Sequence, residues 1–159
     1  MSGFISYART DRPHLNRFLV HLKAIERRTR WTFWHDQYLI PGDLFDNRIR
    51  DVIARSNIFI LLMSPDFLNS TYIMDQELKA IEARRDADPN GTLIIRAILH
   101  PCDHDMVSTG RQAVPSDRNG RLKPISKWQK REHGFDQARI EIQKAMTGYT
   151  LFPVGPEDL

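Results

Sequence analysis

The chain has 159 residues, of which 41% are hydrophobic and 27% are charged, and its formal net charge is +3. A chain of this length suits one domain whose core is large enough to need no disulfide or structural metal. Its single cysteine, Cys102, excludes an internal disulfide. The longest apolar run, residues 58–63, is too short to cross a bilayer, and Arg9 interrupts the N-terminus too early for a signal peptide. We therefore expect a cytoplasmic protein with no membrane association.

The predicted elements alternate between strands and helices. In chain order they are a strand at residues 3–7, a helix at 11–28, a strand at 31–34, a helix at 43–56, a strand at 57–63, a helix around Glu77, a strand at 92–99, a short strand near 123–125 and a helix at 133–146. This order predicts an α/β domain with a central parallel sheet that helices cover on both faces.

Ligands of open parallel sheets bind beyond the carboxyl ends of the strands, where the connecting loops gather. The predicted loops carry polar and aromatic side chains at that edge. They are Ser6, Tyr7 and Arg9 after the first strand, Trp34, Asp36, Pro41 and Gly42 after the second, and residues 64–72 after the third.

Glu77 interrupts the apolar face of its predicted helix. On a helical wheel of residues 69–83, the apolar side chains that share its face are Ile73, Met74, Leu78, Ala80 and Ile81. Taking an unpaired carboxylate out of water costs several kcal/mol or forces it to protonate. The pattern therefore predicts that Glu77 points toward the sheet and has either a function or a buried partner.

Structural explanations stay open for the candidate residues. Glu77 could form a buried ion pair with an arginine such as Arg96. Tyr7 and Tyr72 could pack in the core with satisfied hydroxyl groups, and Trp34 suits core packing as well as ligand contact.

Two further patterns have ordinary explanations. The dipeptide Pro41-Gly42 is more often a simple turn than a binding loop. The residues with metal-ligand chemistry between positions 100 and 105 are His100, Cys102, Asp103, His104 and Asp105. No second cluster completes a standard site, so we expect no metal. The signatures of Rossmann dinucleotide sites and of P-loops are absent from the sequence.

An ordered set of motifs resembles the TIR (Toll/interleukin-1 receptor) domain, in its bacterial branch. The motifs are FISY at residues 4–7 followed by Asp11, WHD at 34–36 leading to IPGD at 40–43, FILLMSPDFL at 59–68, S-x-Y-x-x-x-x-E-L at 70–78, LHPCD at 99–103, Val114-Pro115, and Pro124-Ile125 with Trp128. We assign residues 1–148 to this domain, and residues 149–159 to a C-terminal tail or a linker to a sensor domain.

The resemblance implies a flavodoxin-like three-layer fold, with a central parallel sheet of five strands and helices on both faces. It also implies an NAD glycohydrolase or cyclase of anti-phage defence, which cleaves the nicotinamide–ribose bond to give nicotinamide and ADP-ribose or a cyclic ADP-ribose. NAD is then a substrate, and no cofactor is expected. By the same resemblance Glu77 is the catalytic residue, and the substrate-binding residues are Phe4, Ser6, Tyr7, Arg9, Trp34, Asp36, Ser70 and Tyr72.

The family also acts in head-to-tail assemblies, including filaments. In these, the BB loop of one copy completes the site of the next, and here that loop is Ile40, Pro41, Gly42 and Asp43. Many relatives have tryptophan where this chain has His104, which leaves the choice between hydrolysis and cyclisation open.

One carboxylate suits this reaction, although ordinary glycosidases use two. Nicotinamide leaves NAD as a neutral molecule and needs no proton, so the enzyme has only to orient the ribose and stabilise its cationic character. The alternative function is a noncatalytic TIR adaptor that acts by homotypic interaction, and such a protein has no need of an acid on an apolar face. A nucleic-acid binder ranks last, because the basic residues form no stripe with interleaved aromatics.

Overall fold

The computed structural model describes residues 2–36, 43–107 and 112–148. Its strands are β1 (Ser2–Ser6), β2 (Thr32–His35), β3 (Ile58–Met63), β4 (Leu93–Ile98) and β5 (Gln112–Val114). Its α-helices are α1 (Arg12–Arg28), α2 (Asp43–Arg55), α3 (Pro65–Asn69), α4 (Leu78–Ala87) and α5 (Arg131–Thr147). None of the helices in these ranges is long and apolar enough to span a membrane.

The five strands form one parallel sheet in the order β2-β1-β3-β4-β5. The chain runs outward from β1 to β2 and then returns across β1 to form β3. This order is the flavodoxin-like one, which confirms the predicted fold class. It also creates a switch point between β1 and β3, where the connections at the carboxyl ends of the strands diverge and leave a crevice.

Helices α1 and α5 cover one face of the sheet. Ile5 and Ile60 point into this layer and join a core cluster that includes Phe18 of α1 and Phe135 of α5. The two phenylalanine rings stack with their centroids 5.7 Å apart. This contact fixes the two helices to each other as well as to the sheet.

Helices α2 and α4 cover the other face. Phe4 and Phe59 point into this second core cluster, together with Ile53 of α2 and Ile81 of α4. All six residues of β3 are buried. The uninterrupted apolar run that predicted this strand is therefore explained by helices on both sides of it.

The prediction of a strand near residues 123–125 is wrong. Ile125 begins a 3-10 turn, Ile125–Lys127, and its side chain is fully buried in the α1 and α5 layer. The fifth strand is instead β5, Gln112–Val114, which pairs with β4 at the edge of the sheet. A three-residue edge strand that begins with glutamine carries too short an apolar pattern to be recognised by periodicity.

The connection after β3 is also more complex than predicted. A short separate helix, α3, follows the strand, and Ser64 caps it by accepting a hydrogen bond of 3.1 Å from the Phe67 amide. A π-helical turn, Ile73–Glu77, then leads into α4. The predicted single helix around Glu77 is thus an α-helix that begins with a wider turn.

Asp11 lies at the expected N-cap position of α1, but its side chain makes no capping hydrogen bond. Its carboxylate accepts a hydrogen bond from the Ser64 hydroxyl group instead. Both residues are buried. The pair therefore joins the start of α1 to the carboxyl end of β3.

Gly134 of α5 offers a test of the packing between this helix and the 3-10 turn. A Cβ atom at this position would lie 3.0 Å from the Trp128 ring and 3.2 Å from the Ile125 Cα. The ring cannot move freely, because Trp128 Nε1 donates a 3.0 Å hydrogen bond to the Lys123 carbonyl. We expect Gly134→Ala to lower the free energy of unfolding by about 1–3 kcal/mol in chemical denaturation, despite the higher helix propensity of alanine. Gly148→Ala is the control, since its nearest contact is 3.5 Å, and it should change stability by less than about 1 kcal/mol.

Candidate functional site

The carboxylate of Glu77 lies at the switch point of the sheet. Ser6, the last residue of β1, donates a hydrogen bond of 2.9 Å from its hydroxyl group to Glu77 Oε1. Ser6 is 1% exposed and Glu77 is 8% exposed. The prediction that Glu77 points toward the sheet is confirmed, and its contact is with the strand end that borders the crevice.

Two local features of the helix set this position. The Ser70 hydroxyl group accepts a 3.2 Å hydrogen bond from the Ile73 amide and caps the start of the helix. The Leu78 amide then donates to the Ile73 carbonyl, which is the five-residue spacing of a π-helical turn. Ile73, Glu77 and Leu78 are all buried as a result.

Burial dominates the electrostatics of Glu77 and raises its pKa from 4.5 to about 7. The hydrogen bond from Ser6 acts in the opposite direction, because it stabilises the ionised form. The negative charge of Asp36, which is also buried, adds to the rise. The neutral form of this carboxyl group is therefore favoured to a higher pH than in an exposed glutamate.

The alternative of a structural ion pair between Glu77 and Arg96 is wrong. The Arg96 guanidinium donates to the carbonyl groups of His104, at 3.1 Å, and Val107, at 3.4 Å, and lies 3.6 Å from the Asp105 carboxylate. Among the described residues, no ion pair to Glu77 occurs. Arg96 holds the loop after β4 and does not neutralise the carboxylate.

A small cavity of about 10 Å³ adjoins Glu77 between α2 and the helix that carries it. Its lining residues are Ile49, Arg50, Ile53, Tyr72, Gln76, Glu77 and Ala80. Arg50 donates a 3.3 Å hydrogen bond to the Gln76 side chain across these two elements. A volume of this size holds about one water molecule. This cavity is therefore too small to hold a typical small-molecule ligand.

The sequence analysis missed the contribution of α2 to this site. Ile49 and Ile53 share a face one helical turn apart, which indicates only that the face is buried. Nothing in their pattern shows that the face meets Glu77, because that contact depends on how the sheet orders its strands.

The predicted aromatic residues lie on two faces of the sheet. Phe4 is 1% exposed and stacks on the half-buried Trp34 ring, with centroids 5.5 Å apart. Both rings belong to the layer that contains Glu77, as does the half-buried Tyr72. Tyr7 belongs to the opposite layer, and its hydroxyl group donates to the backbone carbonyl of Asp36. Burial also raises the pKa of Tyr7, so its hydroxyl group stays protonated at neutral pH.

The remaining predicted residues have mixed positions. Arg9 lies exposed in a 3-10 turn directly after β1, close enough for its charge to act on Tyr7. Asp43 is the first residue of α2. Ile40, Pro41 and Gly42 lie outside the described residues, and so does the segment 149–159.

The polar cluster after β4 does not gather around one point. Within residues 2–36, 43–107 and 112–148, no group of three or more His, Cys, Asp and Glu side chains is arranged to hold a metal ion. His104 instead lies 3.3 Å from Arg96 through Nδ1. Burial raises the pKa of the Cys102 thiol, which keeps it in its neutral form.

Comparison with known proteins identifies the family of this chain. A family model described as the TIR domain matches residues 4–142. The chain belongs to the TIR domain family. The match confirms the family resemblance of the motifs and includes both Ser6 and Glu77. Homotypic interaction between TIR domains is a general property that this membership implies.

A curated relative of this TIR domain is the uncharacterized protein y4lF of Sinorhizobium fredii (strain NBRC 101917 / NGR234), which is 30% identical over 147 residues. The match covers 91% of the present chain but 42% of the relative, so the chain spans less than half of that protein. Among solved structures, the chain is similar to the CMP N-glycosidase BcmB of Clostridium botulinum. The TM-score is 0.54 and the identity 14%, over 89% of this chain and 99% of that chain. At this identity the likeness shows the fold alone.

The raised pKa of Glu77 makes a prediction about stability. The folded state binds the proton of Glu77 more tightly than the unfolded state does, so proton binding stabilises the fold. This stabilisation is complete below pH 4.5 and is lost as the pH rises to about 7. Glu77→Gln removes the charge and keeps an oxygen for Ser6. We expect it to raise the free energy of unfolding by up to about 3 kcal/mol at pH 8, and to change it little at pH 4 to 5, in urea titrations.

Glu132→Gln is the control, because the pKa of Glu132 is shifted in the opposite direction from that of Glu77. Hydrogen bonds from Arg17 and His21 lower the pKa of Glu132 to about 2, so ionisation of this residue favours the folded state and its loss should not stabilise the protein at pH 8. A loss of stability in Glu77→Gln at pH 8 would show that the carboxylate is structural.

Proposed function

We propose that this TIR domain is an NAD glycohydrolase or cyclase that cleaves the nicotinamide–ribose bond, with Glu77 as its catalytic residue. The observation that carries the proposal is a buried carboxylate at the switch point of the sheet, bonded to a serine and to no described cation. Burial of a carboxylate without a cation is costly, and a costly polar group in a crevice is typical of a functional site.

The chemistry follows from the charge of the substrate. When the glycosidic bond breaks, its electron pair passes to the pyridinium nitrogen, and nicotinamide leaves as a neutral molecule. Positive charge develops at the anomeric carbon, and the Glu77 carboxylate stabilises it by accepting hydrogen bonds from the ribose hydroxyl groups in a water-poor site. Addition of water at that carbon gives ADP-ribose, and attack by a group within the same molecule gives a cyclic product.

The other predicted substrate contacts have roles that fit this layer. Trp34, whose ring stacks on Phe4, supplies one aromatic wall that excludes water. Tyr72, which lines the small cavity, supplies another. Arg9, exposed after β1, is suited to the pyrophosphate as a planar bidentate donor. Asp36 lies close enough to Glu77 to act on its charge.

Access to Glu77 links the proposed activity to assembly. The cavity that the described residues form beside the carboxylate is far smaller than the several hundred Å³ of a typical ligand site. Head-to-tail contact between copies through residues 40–43 is the event that we propose opens or completes the site, in an anti-phage response that begins with a sensor. The isolated domain is then nearly inactive.

The first test is nicotinamide release by assembled protein. We expect Glu77→Gln to form the same oligomers and to bind NAD, but to release nicotinamide at least about 100-fold more slowly, because one preorganised electrostatic group is removed. Chromatographic product analysis measures both rates. Equal rates in the wild type and Glu77→Gln would refute the role of Glu77, and the absence of nicotinamide from wild-type filaments would favour the noncatalytic adaptor.

The second test concerns the assembly. Gly42→Arg should reduce NAD turnover by preventing contact between copies, while circular dichroism shows an unchanged fold. Light scattering measures the loss of oligomers. Full activity of this variant as a monomer would exclude a site that needs a second copy.

A second candidate is an N-glycosidase that acts on a nucleotide with a neutral base, as the name of the structural neighbour describes for CMP. The specific observation in its favour is the burial of Glu77, which raises its pKa to about 7, since a protonated carboxyl group can donate a proton to a poor leaving group. The pH dependence separates the two candidates. NAD cleavage needs the carboxylate, so kcat/KM should rise with pH through about 7, whereas acid catalysis on CMP should fall over the same range.

A further inference from the structure

Ser6 was a predicted substrate contact, but its hydroxyl group is already engaged. It is 1% exposed and donates its single proton to Glu77 Oε1 at 2.9 Å. A hydroxyl group has one proton to donate. Ser6 therefore has no donor left for a ribose hydroxyl group, and its lone pairs lie in a buried position.

The charged and titratable groups around Glu77 come from several elements. Asp36 follows β2, Tyr7 follows β1, Arg50 lies on α2 across the small cavity, and Tyr72 precedes the π-helical turn. Asp36 opposes ionisation of Glu77, and burial opposes it more strongly. Among the described residues, the hydrogen bond from Ser6 is the contact that favours the ionised carboxylate.

The same hydrogen bond restricts the orientation of the carboxylate. Oε1 is held against the end of β1, an interior strand of the sheet. Oε2 makes no hydrogen bond with the described residues. The bond from Ser6 thus fixes one of the two carboxylate oxygens, Oε1.

We propose that Ser6 is the positioning residue of Glu77, which holds Oε1 at the switch point and favours the ionised form of the carboxylate so that Oε2 can contact the ribose. This proposal rests on the proposed function for its catalytic consequence. The geometry also predicts an effect on the proton affinity of Glu77 that exists without any substrate.

The decisive variant is Ser6→Ala, which removes the donor and leaves the carboxylate buried. Loss of a hydrogen bond to a charged group should move the ionisation of Glu77 upward by about one to two pH units. For assembled protein, kcat/KM for NAD should fall roughly 5- to 50-fold at pH 7, and its acidic limb should shift upward by the same one to two units. Ser6→Cys, with a weaker donor, should give an intermediate shift.

Ser64→Ala is the matched control. Ser64 directly follows the neighbouring strand β3 and is also 1% exposed. Its hydroxyl group donates a hydrogen bond to the buried carboxylate of Asp11. Ser64→Ala should lower the thermal stability but leave the acidic limb of the pH profile at its wild-type position. A purely structural role of Ser6 predicts the same result for Ser6→Ala.

A second measurement separates this proposal from the proposed function. The ionisation of Glu77 is followed directly by NMR of 13C-labelled glutamate carboxyl groups, with the signal assigned by its absence in Glu77→Gln. An upward shift of the titration midpoint in Ser6→Ala supports the positioning role even if NAD is not cleaved. An unchanged midpoint overturns it, whatever the activity.

Discussion

The burial of the Glu77 carboxylate is the constraint on which the arrangement of the site depends. Its helix must present an apolar face to the sheet, because Ile73, Leu78 and Ile81 belong to the core. A charged group within that face is unfavourable unless it is solvated, paired or protonated. Among the residues that the structure describes, the hydroxyl group of Ser6 donates a hydrogen bond to this carboxylate, which compensates only part of the cost. Burial therefore favours the neutral form of this carboxyl group, and the hydrogen bond from Ser6 favours the ionised form.

The order of the strands explains why this group lies where a ligand can reach it. In the sequence β2-β1-β3-β4-β5, the connections after β1 and β3 leave the sheet in different directions. The end of β1 is therefore not covered by its own helix, and the helix that follows β3 packs beside it. Ser6 and Glu77 are 71 positions apart in the chain but meet at this crevice. Phe4 and Trp34, in register on β1 and β2, form an aromatic floor next to it.

Much of the fold could be predicted from local patterns, because β3 and β4 are uninterrupted apolar runs and α1 keeps a clear helical period. The direction of Glu77 also followed from periodicity alone. The partner of Glu77 could not be predicted in this way, since the contact with Ser6 depends on strand order. The fifth strand was misplaced because Ile125, although buried, belongs to a turn. The prediction that Glu77 acts on NAD rests on the family resemblance and does not follow from the spacing of residues.

In the proposed chemistry, the protonation state of Glu77 depends on the charge of the ligand. Burial favours the neutral acid, which is the form that costs the fold least. A ligand with a cationic ring brings a positive charge to the same crevice, and an opposite charge nearby favours the carboxylate. The substrate would therefore draw the catalytic group into its active form, and a neutral nucleotide would leave it protonated. Under this proposal, selectivity between the two kinds of leaving group would come from one carboxyl group whose ionisation depends on the charge of the ligand, and Ser6 would set the balance between the two protonation states.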